Sequence, residues 1–126
     1  MPRRSLGRVW IAAGGLAGFG AVAMGAVAAH VLTGPAQEMA REAVQMQGWH
    51  ALALLFCGLW AEQRGGRLVD AAAIAFVLGM AGFCAGVYSV AFAATRLADL
   101  APIGGTLLML GWLLLFVAAC RGRGMP

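Results

Sequence analysis

Four stretches of this chain contain no Asp, Glu, Lys or Arg: Val9 to Gln37, Ala43 to Ala61, Ala71 to Thr95, and Leu100 to Cys120. A helix rises about 1.5 Å per residue, so about 20 apolar residues cross a hydrocarbon core of about 30 Å. A backbone in lipid has no water to bond, so such segments must close their hydrogen bonds internally, as helices do. Ten-residue alternating segments, the mark of a membrane barrel, do not occur. The spacing therefore predicts spans over about 9–32, 44–62, 69–94 and 100–120, within a single membrane domain covering 1–126. The second is the weakest, because only Trp49 to Trp60 is strongly apolar and His50 lies inside it.

Composition supports lipid as the solvent. Hydrophobic residues are 62% of the 126, and charged residues 11%. A soluble globular domain carries about 25% charged residues. The net charge of +4 comes from nine arginines and no lysine. These charges lie between hydrophobic runs and form no aromatic-laced patch, so no nucleic-acid partner is expected. Cys57, Cys84 and Cys120 are odd in number, widely spaced and set in apolar runs, unlike a disulfide framework or a zinc site.

Between the first two spans, Ala36, Met39, Ala40, Ala43 and Val44 follow the i, i+3, i+4, i+7, i+8 pattern of an amphipathic helix. Gln37, Glu38, Arg41, Glu42 and Gln45 fill its other face. This short helix either lies on the membrane surface or runs straight into the second span. The expected architecture is thus all-α: an integral membrane four-helix bundle with an amphipathic helix between spans 1 and 2.

Arginine asymmetry predicts orientation. Arg3, Arg4, Arg8, Arg64, Arg67, Arg121 and Arg123 fall on one side, against Arg41 and Arg96 on the other. Both termini are therefore expected on the cytoplasmic side of a bacterial inner membrane, or on the matrix side in an organelle. Arg3-Arg4 before an apolar run resembles an export signal, but the run exceeds the usual 7–15 residues and three more spans follow it.

Small residues mark where helices approach closely in lipid, which supplies no hydrophobic drive between them. Gly14 and Gly18 form one such pair, and Gly25 continues a row through Ala17 and Ala21. Gly79, Gly82 and Gly86 share a face of the third span, and Gly104 and Gly111 are one heptad apart. These faces serve packing within the bundle, assembly of a homo-oligomer, or entry into a larger membrane complex.

Certain segments resemble the domain-of-unknown-function 423 family, which includes transmembrane protein 256 of animals. They are Gly25-Ala26-Val27-Ala28-Ala29-His30, Trp49-His50-Ala51-Leu52-Ala53-Leu54-Leu55, and Pro102-Ile103-Gly104-Gly105 followed by Gly111-Trp112. The resemblance covers roughly residues 9–120. Val27 and Ala28 stand where the family motif commonly has an aromatic residue and a glycine, while the histidine is kept. The resemblance implies a small four-helix membrane protein and brings no activity with it.

His30 and His50 are the candidate metal or proton ligands. Read as the end of span 1 and the start of span 2, they fall at similar depth near the outer face, and an ionisable group at the membrane is a functional candidate. The plainer alternative is that each fixes a helix end. Met39, Met46, His50 and Cys57 fall on one helical stripe, which suits a soft ion such as Cu(I) or an ordinary packing seam. Trp10, Trp49, Trp60 and Trp112 read as interfacial anchors, with Trp112 deeper. No nucleophile–base pair, phosphate loop or dinucleotide fingerprint is present, so neither an enzyme nor a cofactor is expected. The leading expectation is an assembly component; the alternatives are a His30/His50 site or a small-solute or lipid carrier built as an oligomer.

Overall fold

The computed structural model describes residues 6–92 and 97–122, so Arg3, Arg4, Thr95, Arg96 and Arg123 lie outside the described residues. The described residues form four helices: α1 (Gly7–His30), α2 (Gly34–Gln63), α3 (Arg67–Ala91) and α4 (Leu100–Gly122). Among the described residues there is no strand. Three-residue links join α1 to α2 and α2 to α3, which makes each pair antiparallel neighbours. The second link turns at Gly65 and Gly66, whose φ of +68° and +133° only glycine adopts freely. Pro35 stands in the first turn of α2 and Pro102 in that of α4, where a missing N–H costs little.

The amphipathic segment does not lie apart from the second span. Residues 35–47 run straight into it, making α2 one helix of 30 residues. Two glutamines of the polar face hold it against α1. Gln37 Nε2 donates to the Ala28 carbonyl and Gln47 Nε2 to the Ala17 carbonyl, each at 3.0 Å. With Gly7 packed on Gly58 at the other end, α1 and α2 stay in antiparallel register along their full length.

The helices pair α1 with α2, α2 with α3, and α3 with α4. The core lies between α2 and α3, where Leu54, Cys57, Val69 and Phe76 are fully buried. Outward faces are apolar: Leu16, Phe19 and Val22 on α1, Leu52 and Phe56 on α2, Leu78 on α3, Met109 and Phe116 on α4. Burial inside and oil-compatible side chains outside describe a membrane helical bundle. α1, α3 and α4 are each long and apolar enough to cross a membrane. The polar first half of α2 sets that helix apart.

Candidate functional site

A buried polar cluster is built on His50. It sits midway along α2 and is buried at 2% exposure. Its Nε2 accepts a hydrogen bond from the Trp112 indole N–H of α4 at 3.0 Å. The ring proton then belongs on Nδ1, which bonds the Met46 carbonyl one turn earlier. Phe76 of α3 completes an aromatic triad, its ring centroid 5.5 Å from His50 and 5.1 Å from Trp112. Gly111 makes room for it, since a Cβ there would lie 2.6 Å from the Phe76 ring. Three helices thus meet around one imidazole with both nitrogens engaged.

His30 is elsewhere. It is exposed at the last residue of α1. Gln47 bonds Ala17, so His50 lies level with the stretch of α1 near Ala17. Thirteen residues separate that level from His30, about 20 Å along the axis. The structure does not bring the two imidazoles together, contrary to the similar depth expected for them. The reason is the continuous α2, whose register sends His50 to the middle of the bundle instead of its outer rim. Among the described residues no group of three or more His, Cys, Asp and Glu gathers as a metal site.

Along the Met39–Met46–His50–Cys57 stripe, His50 and Cys57 are buried, Met46 packs against the core that contains Cys57, and Met39 is half-buried. Trp49, expected at an interface, is 59% exposed midway along the bundle. Trp10 is buried instead, its indole N–H donating to Asp70 Oδ1 at 2.8 Å and tying α1 to α3.

Among the glycines singled out for packing, Gly14, Gly79, Gly82, Gly86, Gly104 and Gly111 stand at helix contacts within the chain. Gly104 is the tightest: a Cβ would lie 2.6 Å from the Gly79 carbonyl oxygen and closer still to the Phe83 amide. Gly18 and Gly25 are looser, with 3.9 Å to Ala51 and 3.6 Å to Val44. Gly7 and Gly58 form a crossing that sequence reasoning missed, because neither belongs to a GxxxG pair.

A second polar feature lies on the outer face of α2. Glu38, Arg41, Glu42 and Gln45 are all exposed and succeed one another along one side. The same face continues as Trp49, Leu52, Phe56 and Leu59. Val44 lies beside Gly25 and Gln47 beside Ala17, so Glu42 and Gln45 stand level with the apolar stretch of α1 that exposes Phe19 and Val22.

Comparison with known proteins agrees with this apolar helical architecture. The family model described as "Protein of unknown function (DUF423)" matches residues 24–105. The chain belongs to this family. A UPF0382 membrane protein of Haemophilus influenzae is 30% identical over 115 residues, covering 87% of this chain and 92% of that protein. The UPF0382 inner membrane protein YgdD of Escherichia coli is 33% identical, covering 84% and 85% respectively. A UPF0382 membrane protein of Staphylococcus epidermidis is 32% identical, covering 93% and 99%. No solved structure matches the chain. As a member of the DUF423 family, the chain is a membrane protein.

Proposed function

We propose that this chain is a four-pass protein of a bacterial inner membrane, with both termini cytoplasmic, that performs no catalysis and works as an assembly component. The observation that carries the reading is the polar row on the exposed side of α2, formed by the charged Glu38, Arg41 and Glu42 and the neutral Gln45. α1 has 24 residues, about 36 Å, against a hydrocarbon core of about 30 Å. If the bundle spans that core, Glu42 and Gln45 stand at lipid depth with no cover from the described residues of their own chain. Placing Arg or Asp in mid-membrane costs about 2.5–3.5 kcal/mol on insertion scales, and such groups usually face protein or water.

A protein surface that matches the row removes this cost. Glu38 and Glu42 flank Arg41, so the row on a second copy offers the complementary charges. A larger membrane complex meets the same need with its own residues. The tight glycine contacts are used within the bundle, which leaves this row as the polar surface for association. Arg8, Arg64, Arg67 and Arg121 share one end of the bundle, which supports the cytoplasmic placement of the termini. The inner-membrane name of the Escherichia coli relative supports the location.

The test is chemical crosslinking after purification in mild detergent. The expected result is a dimer or a co-purifying partner, lost in Arg41→Glu. If the partner is a second copy, the triple exchange Glu38→Arg, Arg41→Glu, Glu42→Arg restores it. A strictly monomeric protein with no co-purifying partner overturns the reading.

A further inference from the structure

Two clefts adjoin at the end of the bundle where α2 turns into α3 and α4 finishes. One is an apolar trough of about 630 Å³ between α2 and α4, lined by Phe56, Leu59, Trp60 and Ala119. The other, of about 380 Å³, is bordered by Arg64, Arg67 and Arg121 around the Gly65-Gly66 turn. Trp60, Arg64 and Gly122 line both, so the two form one continuous surface.

Among the described residues no carboxylate borders either cleft. The acids at this end of the bundle turn the other way. Asp70 accepts from Trp10, and Glu62 lies against Gly7, both on the α1 side. Among the described residues, Arg64, Arg67 and Arg121 make no ion pair. Three guanidinium groups therefore stand at the mouth of an oily trough with no carboxylate of the described residues paired to them. From Arg64 to Phe56 is eight residues, about 12 Å of helix running toward the membrane interior.

This combination fits one molecule with an anionic head and an apolar tail. Guanidinium groups grip phosphate oxygens through paired N–H donors. Basic pockets between membrane helices on the cytoplasmic side recognise anionic lipid headgroups. A soluble anion would meet the arginines and leave the trough unused. We propose that this double cleft binds a single anionic phospholipid, its phosphate among Arg64, Arg67 and Arg121 and an acyl chain in the trough beside Phe56, Leu59 and Ala119. The proposal rests on the four-pass reading for the trough to face lipid. It does not depend on assembly.

The test titrates the purified full chain in detergent micelles with dioleoylphosphatidylglycerol, dioleoylphosphatidylcholine or glycerol phosphate. Native mass spectrometry counts retained lipid, and thermal unfolding reports stabilisation. The expected result is one phosphatidylglycerol held about tenfold or more tighter than phosphatidylcholine, with no stabilisation by glycerol phosphate. Arg64→Gln, Arg67→Gln and Arg121→Gln together remove that preference, at about fivefold per arginine. Ala119→Trp fills the trough with the charges intact and lowers retention of both lipids. Arg8→Gln, at the same end but on α1, leaves binding unchanged. Equal affinity for the two lipids, an undiminished preference in the triple variant, unchanged retention in Ala119→Trp, or equal binding of glycerol phosphate each overturns the proposal. Binding in micelles is read whether the protein is monomeric or assembled and whichever way it lies in the membrane, so the two readings fail separately.

Discussion

The indole N–H of Trp112 and Nε2 of His50 meet at 3.0 Å across 62 positions of sequence, and this bond fixes how α4 sits on α2. With Nδ1 on the Met46 carbonyl, the imidazole has no free nitrogen to offer a metal. Trp112→Phe removes the indole donor and the five-membered ring that carries it while leaving a phenyl ring to face Phe76, so thermal unfolding in detergent should show a loss of about 0.5–1.5 kcal/mol. His50→Ala also empties space against Phe76 and should cost about 2–4 kcal/mol. Elemental analysis should find the same metal content in the parent and both variants. A metal lost only with His50 would contradict the structural role.

Gly104 and Gly15 provide a paired test of where backbones touch. A Cβ at Gly104 collides with backbone atoms of α3 at Gly79 and Phe83, which no rotamer change can relieve. At Gly15 nothing lies within 4 Å. Gly104→Ala should therefore lower the unfolding temperature sharply or abolish folded yield, a loss of about 2 kcal/mol or more from forced separation of α3 and α4. Gly15→Ala should be neutral or slightly stabilising, by up to about 1 kcal/mol from helix propensity. Equal yields and melting temperatures would mean that α3 and α4 do not pack on Gly104.

How far the fold was readable depended on which interactions stay local. α1, α3 and α4 declare themselves by length and apolarity alone. α2 does not, because its first half carries a polar face that serves equally on a membrane surface or in a bundle. What commits it is the bonding of Gln37 and Gln47 to carbonyls of α1, and a side chain that bonds a distant backbone looks the same in sequence as one that meets water. The misplacement of His50 follows directly. A histidine after Trp49 reads as a helix start, while its depth is set by a register with α1 that periodicity does not encode. The partnership with Trp112 was equally hidden, since His50 reads as a group near the outer face and Trp112 as one set deeper, with nothing in the sequence to pair them.

The cysteines report topology. Cys57 and Cys84 are buried, while Cys120 is exposed at the last turn of α4 beside Arg121. A membrane-impermeant maleimide should label Cys120 in inverted inner-membrane vesicles and leave it unlabelled in intact spheroplasts. Cys57 and Cys84 should react only after denaturation. Labelling of Cys120 in spheroplasts would place the C-terminus outside and reverse the orientation proposed from the arginines.

Tyr88, Gln47 and Ala17 form a relay that joins α3, α2 and α1. The Tyr88 hydroxyl donates to Gln47 Oε1 at 2.8 Å, and Gln47 Nε2 donates to the Ala17 carbonyl at 3.0 Å. The amide thus accepts from one neighbour and donates to the other. Interhelical bonds in a membrane average about 0.6 kcal/mol, so Tyr88→Phe should cost near that amount. Gln47→Leu removes both bonds and leaves the half-buried Tyr88 hydroxyl without its acceptor, which should cost more, about 1.5–3 kcal/mol. In the double variant the stranded hydroxyl is gone, so the total should fall below the sum of the two single losses. Unfolding free energies of the four proteins in one micelle composition measure this coupling directly. Strict additivity would mean that Tyr88 and Gln47 act independently and that α3 is not tied to α1 through α2.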